Sequence, residues 1–142
     1  MGSVLRVDPK IPKTQVICLT HIRELSFQIA DVYSKICKYS DIKVENYSAT
    51  NKCNNAHIVV MTLGGLKKEL ATRGSKLNLS DLRVVVIDEV DYFFADAEKK
   101  QAFFDMNFKH FSKIAKLQKL LFSATYPPDV VTAVEEFCED AF

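Results

Sequence analysis

The sequence lacks any strong excess of charge and any long apolar run. Its formal net charge at pH 7 is +1, because 19 Lys and Arg residues are balanced by 18 Asp and Glu residues. Binding to nucleic acid through a uniformly basic surface is therefore excluded, and any such binding must use a local group of residues. The apolar runs are all shorter than the roughly 20 residues that span a bilayer, and the N-terminus has no signal-peptide core.

Cysteine is also scarce. The four cysteines are widely spaced and form no CxxC pair: Cys18, Cys37, Cys53 and Cys138. Without a secretory signal, this spacing predicts reduced thiols in an intracellular protein and argues against a disulfide framework or a zinc site. Residues 1–3 resemble an expression-tag remnant, so we place the domain at residues 4–142.

The sequence does contain a regular alternation of strand-like and helical segments. Short runs rich in Val, Ile and Leu predict strands at 15–20, 56–62, 83–87 and 119–123, with a further half-buried strand at 42–47. Helical spacing predicts helices over 23–38 and 66–71, a long one from about Asp96 to Leu117, and a last one from Pro127. Continuous apolar strands that alternate with helices predict an α/β fold, with a parallel sheet flanked by helices on both faces.

Polar groups follow the predicted strands at their carboxyl ends. Asp88 and Glu89 come directly after one apolar run, and Ser123 and Thr125 follow the next. Ligands bind at this edge of open parallel sheets, so we expect a single site there. Two adjacent carboxylates at the end of a buried strand are unfavourable without a partner, and Mg²⁺ with nucleotide phosphates is a common one.

Four short motifs occur in order along the chain: Arg23-Glu24-Leu25 with Gln28, Thr62-x-Gly64, Asp88-Glu89-x-Asp91 and Ser123-Ala124-Thr125. This order resembles the first RecA-like domain of DEAD-box ATP-dependent RNA helicases, from about Val4 to the C-terminus. The resemblance implies a partial RecA-like (P-loop NTPase) domain. Its parent would use ATP and Mg²⁺ to couple hydrolysis to RNA duplex unwinding or RNP remodelling, in the nucleus or cytoplasm. The segments around Cys18 and at 76–91 and 120–130 are similar to the mRNA-export subgroup of the family.

The resemblance also implies catalytic and coupling roles for the matching residues. Asp88 would hold Mg²⁺, mostly through water, and Glu89 would orient and deprotonate the water that attacks the γ-phosphate of ATP. Asp91 and Ser123 would hydrogen-bond to each other, with Thr125 in support. This contact would couple the nucleotide state to the RNA surface.

A second set of matching residues is implied to bind RNA. Arg23, Thr62, Gly64 and Gly65 would lie along the RNA backbone, where glycine permits close approach and exposed amides meet phosphate. Such a site binds without reading the base sequence, in keeping with the small net charge.

The sequence departs from the family pattern at several positions. His21-Ile22 stands where the family has Pro-Thr, so Ile22 cannot donate a hydroxyl hydrogen bond, and Leu63 and Gly65 replace the Pro and Arg of Thr-Pro-Gly-Arg. The sequence has no GxxxxGK[ST] phosphate loop, no glutamine motif and no second RecA-like domain. We therefore expect a truncated fragment that is inactive alone and whose parent chain supplies the second RecA-like domain.

The absent phosphate-loop strand would pair beside 119–123 in the arrangement that the resemblance implies. That apolar strand should then have an unpaired edge, which favours pairing with another chain. We expect either self-association through this edge or its coverage by the N-terminal segment at 4–13.

Two other functions are compatible with the same motifs. The chain could be a non-catalytic helicase-like module that serves as a protein-interaction scaffold, or part of a Walker-type NTPase that acts on a substrate other than RNA. Individual motifs also have simpler interpretations. Asp88-Glu89 could be a solvated strand end, Arg23-Glu24 a helix N-terminus with a local ion pair, and Ser123–Thr125 a loop cap.

Overall fold

A computed structural model describes residues 2–48 and 55–139 of the chain. The strands are β1 (Val16–Thr20), β2 (Val44–Asn46), β3 (Ile58–Thr62), β4 (Val84–Ile87) and β5 (Gln118–Leu121). The helices are α1 (Arg23–Ile36), α2 (Leu63–Ala71), α3 (Val90–Phe94), α4 (Ala97–Met106) and α5 (Pro128–Glu139). A short 3₁₀ turn at Val4–Arg6 precedes β1, and a π-helical turn at Asn107–Phe111 extends α4.

The five strands form one sheet in the order β2-β3-β1-β4-β5, and every neighbouring pair is parallel. The predicted α/β fold with a parallel sheet is therefore confirmed. The register aligns the carboxyl ends of the inner strands, because Thr20 pairs with Thr62, Leu19 with Ile87, and Ile87 with Leu121. The groups that follow these strands consequently reach the same edge of the sheet.

Both faces of the sheet are buried, as the continuous apolar strands predicted. On one face, alternate residues such as Leu19 and Ile87 pack against α2 to α5, and the π-helical turn adds Phe111 to this core. On the other face, the intervening residues, among them Cys18 and Val86, pack against α1. Because successive side chains point to opposite faces of a strand, one run of apolar residues supplies both layers.

Both ends of α1 and the start of α5 lie within two residues of the sequence prediction, and the helices differ from it more in three places. Helix α2 begins at Leu63 rather than Leu66, because the Thr62 hydroxyl caps the helix by accepting from the Gly65 N–H at 3.1 Å. The five-residue helix α3 was not predicted. The predicted long helix is wrong beyond Phe111, since α4 ends at Met106 and only the π-helical turn continues it.

The phenylalanines of α4 and its extension belong mainly to the core. Phe103 and Phe111 are buried as predicted, whereas Phe108 is 73% exposed. The predicted start of this helix is correct, because the Asp96 carboxylate accepts a hydrogen bond from the Lys99 N–H at 2.8 Å. Among the described residues, no helix combines the length and apolarity that crossing a membrane requires.

The N-terminal segment packs beside β5 without extending the sheet. Val4 and Val7 contact the α1-side core together with Leu120, and Arg6 Nη1 donates to Gln118 Oε1 at 3.4 Å. In the described part of the chain β5 is an edge strand, so self-association through it stays a prediction. Ser3, placed in a tag remnant by the sequence, is buried with its Oγ 3.0 Å from the Tyr33 hydroxyl.

Candidate functional site

The end of β4 carries the two adjacent carboxylates at the predicted edge of the sheet. The backbone N–H of Asp88 donates to the Leu19 carbonyl at 3.0 Å, which extends the β1–β4 pairing by one residue. Asp88 Oδ1 accepts from the Glu89 N–H, also at 3.0 Å. The Val90 N–H donates to the Phe122 carbonyl at 3.0 Å, so the turn after β4 is also fastened to the chain leaving β5.

Glu89 has a left-handed backbone, with φ 53° and ψ 54°. This conformation is uncommon for a residue with a side chain, and it persists where the surrounding structure enforces it. It occurs at the N-cap of α3, directly after Asp88. The carboxylates of Asp88 and Glu89 have different surroundings.

Asp88 lines a cavity of about 430 Å³ beside α1, together with residues that include Leu25, Gln28 and Ile29. One of its oxygens accepts the Glu89 N–H, which leaves the other for a ligand. A single carboxylate fits a Mg²⁺ ion that is held mostly through water, because Mg²⁺ retains several waters and takes few protein ligands. Within the described ranges, no three His, Cys, Asp or Glu side chains converge to hold a metal directly.

Glu89 instead contacts His21, a residue to which the sequence analysis assigned no role. The Nδ1 atom of His21 lies 2.6 Å from Glu89 Oε2. The imidazole ring also lies 4.3 Å, centroid to centroid, from the ring of Tyr92. A signal was present in the sequence, because His21 occupies the position where the family has proline, but the contact spans 68 residues and needs the folded sheet.

Asp91, Ser123 and Thr125 lie together in the space between the ends of β4 and β5. Ser123 Oγ is 2.7 Å from Asp91 Oδ1 and 2.7 Å from the Thr125 carbonyl oxygen, so its one proton is shared between two acceptors. The Thr125 hydroxyl donates to Asp91 Oδ2 at 3.3 Å. The Ser123 hydrogen bond is the main cause that lowers the pKa of Asp91, and the Thr125 hydroxyl contributes in the same direction.

The residues implied to bind RNA surround a separate hollow at the same edge. Arg23 begins α1, and Thr62, Gly64 and Gly65 form the end of β3 and the first turn of α2. These four residues line a cavity of about 230 Å³ together with Tyr47, Ser48 and Lys68. Lys68 belongs to none of the four sequence motifs. Its position one turn after Gly64 on α2 could have indicated that it lines the same cavity.

The first turn of α2 leaves room for a ligand above Gly64. A Cβ atom at Gly64 would meet nothing within 4 Å, whereas one at Gly65 would lie 3.0 Å from Tyr47 and 3.3 Å from the Thr62 hydroxyl. Backbone N–H groups at a helix N-terminus attract anions, and Arg23 and Lys68 add positive charge to the same hollow. The geometry therefore suits a phosphate group.

Cys18 lies in β1, one residue before the partner of Asp88. Burial is the main cause that raises its pKa to about 12, and the negative charge of Asp88 adds to this effect. Cys18, Cys37 and Cys138 are free thiols. A thiol with so high a pKa is a core residue and a poor nucleophile.

Comparison with known proteins gives a family match over most of the chain. The family described as DEAD/DEAH box helicase matches residues 3–134. The ATP-dependent RNA helicase DBP5 of Scheffersomyces stipitis is 36% identical over 141 residues, which cover 96% of this chain and 27% of that protein. The DEAD-box ATP-dependent RNA helicase 38 of Arabidopsis thaliana is 32% identical, covering 99% of this chain and 30% of that protein. This chain thus spans less than a third of these relatives.

Solved structures give the same match at the level of the fold. S. cerevisiae Dbp5 bound to RNA and ADP BeF3 superimposes with a TM-score of 0.82 at 26% identity, over 99% of this chain and 36% of that one. A variant of the same helicase bound to Nup159, Gle1, IP6 and ADP gives a TM-score of 0.82 at 25% identity, over 99% of this chain and 37% of that one.

Proposed function

Because the chain belongs to the DEAD/DEAH box helicase family, we propose that it is part of an ATP-dependent RNA helicase that couples ATP hydrolysis to RNA duplex unwinding or RNP remodelling. One observation carries this proposal. The carboxylate pair after β4 and the anion-accepting first turn of α2 lie at the same edge of one parallel sheet. A nucleotide site and a phosphate-backbone site at one edge can respond to each other through the short segments between them.

On the nucleotide side, the two carboxylates would have different roles. Asp88 would hold a hydrated Mg²⁺ from its place beside α1, and the bound ion would neutralise charge on the ATP phosphates. Glu89 would orient the attacking water and accept its proton, which is the role of a general base. The phosphate-binding loop, the adenine site and the second RecA-like domain would come from the rest of a longer parent protein.

On the RNA side, recognition would depend on the backbone. The N–H groups of the first turn of α2, apart from that of Gly65, which donates to Thr62, would meet one phosphate. Arg23 and Lys68 would meet the same phosphate or its neighbour. None of these groups selects a base, so binding would be independent of RNA sequence and would weaken with salt.

Asp91, Ser123 and Thr125 would connect the two sides. Asp91 lies three residues after Asp88, and its carboxylate accepts from hydroxyls on the segment that leaves β5. A shift of the turn after β4 on nucleotide hydrolysis would therefore be transmitted to the chain after β5. The protein would act inside the cell, in the nucleus or cytoplasm, where its cysteines would remain reduced.

Chemical-shift mapping with a short single-stranded RNA tests the RNA site on this chain directly. We expect perturbed amide signals at Arg23, Thr62, Gly64 and Gly65, with inorganic phosphate as the control for a bare anion site. Substitution of Arg23→Gln or Lys68→Gln should weaken binding and reduce the salt dependence of the affinity by about one unit of slope. Lys109→Gln, which changes a lysine in a different cavity, should have no such effect.

Perturbations confined to another surface, or none at millimolar protein, would contradict the RNA site. If the chain then bound other proteins but no RNA, the alternative of a non-catalytic protein-interaction scaffold would be favoured. An ATPase activity of a longer parent protein that RNA does not stimulate would favour a Walker-type NTPase with a different substrate.

A further inference from the structure

The contact between His21 and Glu89 joins the end of β1 to the turn after β4. His21 directly follows Thr20, the last residue of β1, and its side chain is 16% exposed. Its Nδ1 atom is buried and, among the described residues, makes no hydrogen bond of favourable angle, so its short approach to Glu89 is an ion-pair contact. The facing Glu89 side chain is 43% exposed and lies with Oε2 at 2.6 Å.

So short a separation requires a proton on one of the two atoms. A carboxylate oxygen and an unprotonated ring nitrogen both carry lone pairs, which repel each other at 2.6 Å. A proton on Nδ1 removes this repulsion and makes the contact an attraction between the imidazole and the carboxylate.

The imidazole also packs against an aromatic ring. The Tyr92 ring lies 4.3 Å from it, centroid to centroid, at a tilt of 33°, and the Lys99 ammonium lies 4.4 Å above the centre of the Tyr92 ring. Lys99 is in turn paired with Asp96 at 2.8 Å. The Tyr92 N–H donates to the Glu89 carbonyl at 3.0 Å, so the ring that orients His21 is also fixed to the backbone of Glu89.

We propose that His21 is a positioning residue for Glu89. Its Nδ1 proton holds the Glu89 carboxylate in one orientation, and the Tyr92 ring holds the imidazole that does so. The inference rests on the proposed function, in which Glu89 acts on the attacking water. A half-exposed carboxylate on a left-handed backbone has many rotamers available, and selecting one of them in advance favours reaction.

Proline, which the family has at this position, could not supply such a donor. The substitution of histidine therefore gives this chain a contact to the general base that the family pattern does not contain. His57 and His110, the other two histidines, contact neither Glu89 nor Asp88 in the described structure.

Nitrogen-15 NMR of the histidine side chains tests the contact on this chain alone. We expect His21 Nδ1 to carry a proton that exchanges slowly with water. Glu89→Ala should remove this signal, whereas Asp88→Ala, the change of the adjacent carboxylate, should keep it. Amide spectra of both variants establish that they fold. An unprotonated Nδ1, or an equal loss in both variants, would overturn the proposal.

Steady-state kinetics of the ATPase in a longer parent protein test the consequence. His21→Phe keeps a ring on Tyr92 but removes the donor, and we expect kcat to fall by about tenfold to a hundredfold with KM unchanged. His21→Gln restores a side-chain N–H donor and should recover part of the loss. Unchanged or raised kcat in His21→Phe would overturn the positioning role. If the parent has no RNA-stimulated ATPase at all, the proposed function fails, while the NMR result still decides whether His21 holds Glu89.

Discussion

Ser123 Oγ donates a 2.7 Å hydrogen bond to Asp91 Oδ1 across 32 residues of sequence. The two residues belong to different motifs, one after β4 and one after β5, and neighbouring parallel strands bring them together. The contact is partly exposed, so its contribution to the free energy of unfolding is small. Its main effect is to fix the two strand-end segments relative to each other.

We predict that Ser123→Ala changes the acid stability of the protein. The Ser123 hydrogen bond lowers the pKa of Asp91 below its ordinary 3.8 in the folded chain. A lowered folded pKa stabilises the fold above the unfolded pKa, and this stabilisation is lost as the pH falls through the folded value.

In Ser123→Ala the pKa of Asp91 should therefore rise toward its ordinary value. The difference in free energy of unfolding between wild type and variant, measured with urea, should shrink as the pH falls from about 5 to below 3.8. Thr125→Val, which removes the longer 3.3 Å contact, should have a smaller effect. A difference that stays constant with pH would show that Ser123 does not act through the Asp91 carboxylate.

We predict that alanine at the two adjacent glycines of α2 affects the stability of the protein differently. A Cβ at Gly65 would lie 3.0 Å from Tyr47 and 3.3 Å from Thr62 Oγ1, so the Tyr47 ring must move and the helix cap is disturbed. We expect Gly65→Ala to lower stability by about 1 kcal/mol. Gly64→Ala meets no atom and should leave stability unchanged or slightly raised, because alanine favours a helix. Thermal unfolding of the two variants side by side provides the measurement, and a Gly65→Ala variant as stable as Gly64→Ala would contradict the predicted clash.

We predict that Cys18 resists alkylation in the folded protein. Burial, with the charge of Asp88, raises its pKa from 9.0 to about 12, which reduces the thiolate fraction about 10³-fold near pH 8. Iodoacetamide followed by peptide mass mapping should label Cys138, which is partly exposed, before Cys18. In urea the two should react at similar rates. Equal labelling without denaturant would show that β1 opens readily.

The sequence was sufficient to predict the class and most strands of the fold. The segments predicted as strands at 83–87 and 15–20 are short and mainly apolar, so they predict strands that are buried on both faces. The structure has these strands at Val84–Ile87 and Val16–Thr20. The resemblance to the first RecA-like domain of DEAD-box helicases is also confirmed, including the similarity to the mRNA-export subgroup through its DBP5 relatives.

The remaining features depend on contacts between distant segments. Helix α3 follows a left-handed residue, Glu89, and no periodicity of apolar residues can indicate that conformation. The helix after Asp96 gives way to a π-helical turn whose Asn107 is buried and whose Oδ1 accepts from Lys119 Nζ at 2.8 Å. The His21–Glu89 contact likewise needs β1 and β4 to be neighbours in the sheet. The residues around His21 and Glu89 do not indicate this strand order.

We predict negligible ATP affinity for this chain. The sequence has no GxxxxGK[ST] loop, and the amides and lysine of that loop supply most of the binding to nucleotide phosphates. Asp88 alone could contact only the Mg²⁺ ion of MgATP and none of its phosphates. Isothermal calorimetry with MgATP should show no saturable heat, and RNA binding by the same sample would serve as the control for a folded protein. Saturable binding at micromolar ATP would contradict this prediction.

We predict that Glu89→Gln abolishes turnover in a longer parent protein that contains a phosphate loop. The amide keeps the shape of the side chain and can still accept from His21 Nδ1, but it cannot take a proton from water. General-base catalysis contributes about 10²- to 10⁴-fold, so kcat should fall by at least 10²-fold while the Kd values for ATP and RNA stay near wild type. Glu98→Gln changes an exposed carboxylate in the first turn of α4 and should leave kcat unaffected. If Glu89→Gln retained wild-type ATPase rates, another group would have to act as the base, and the His21 contact would then serve only the fold.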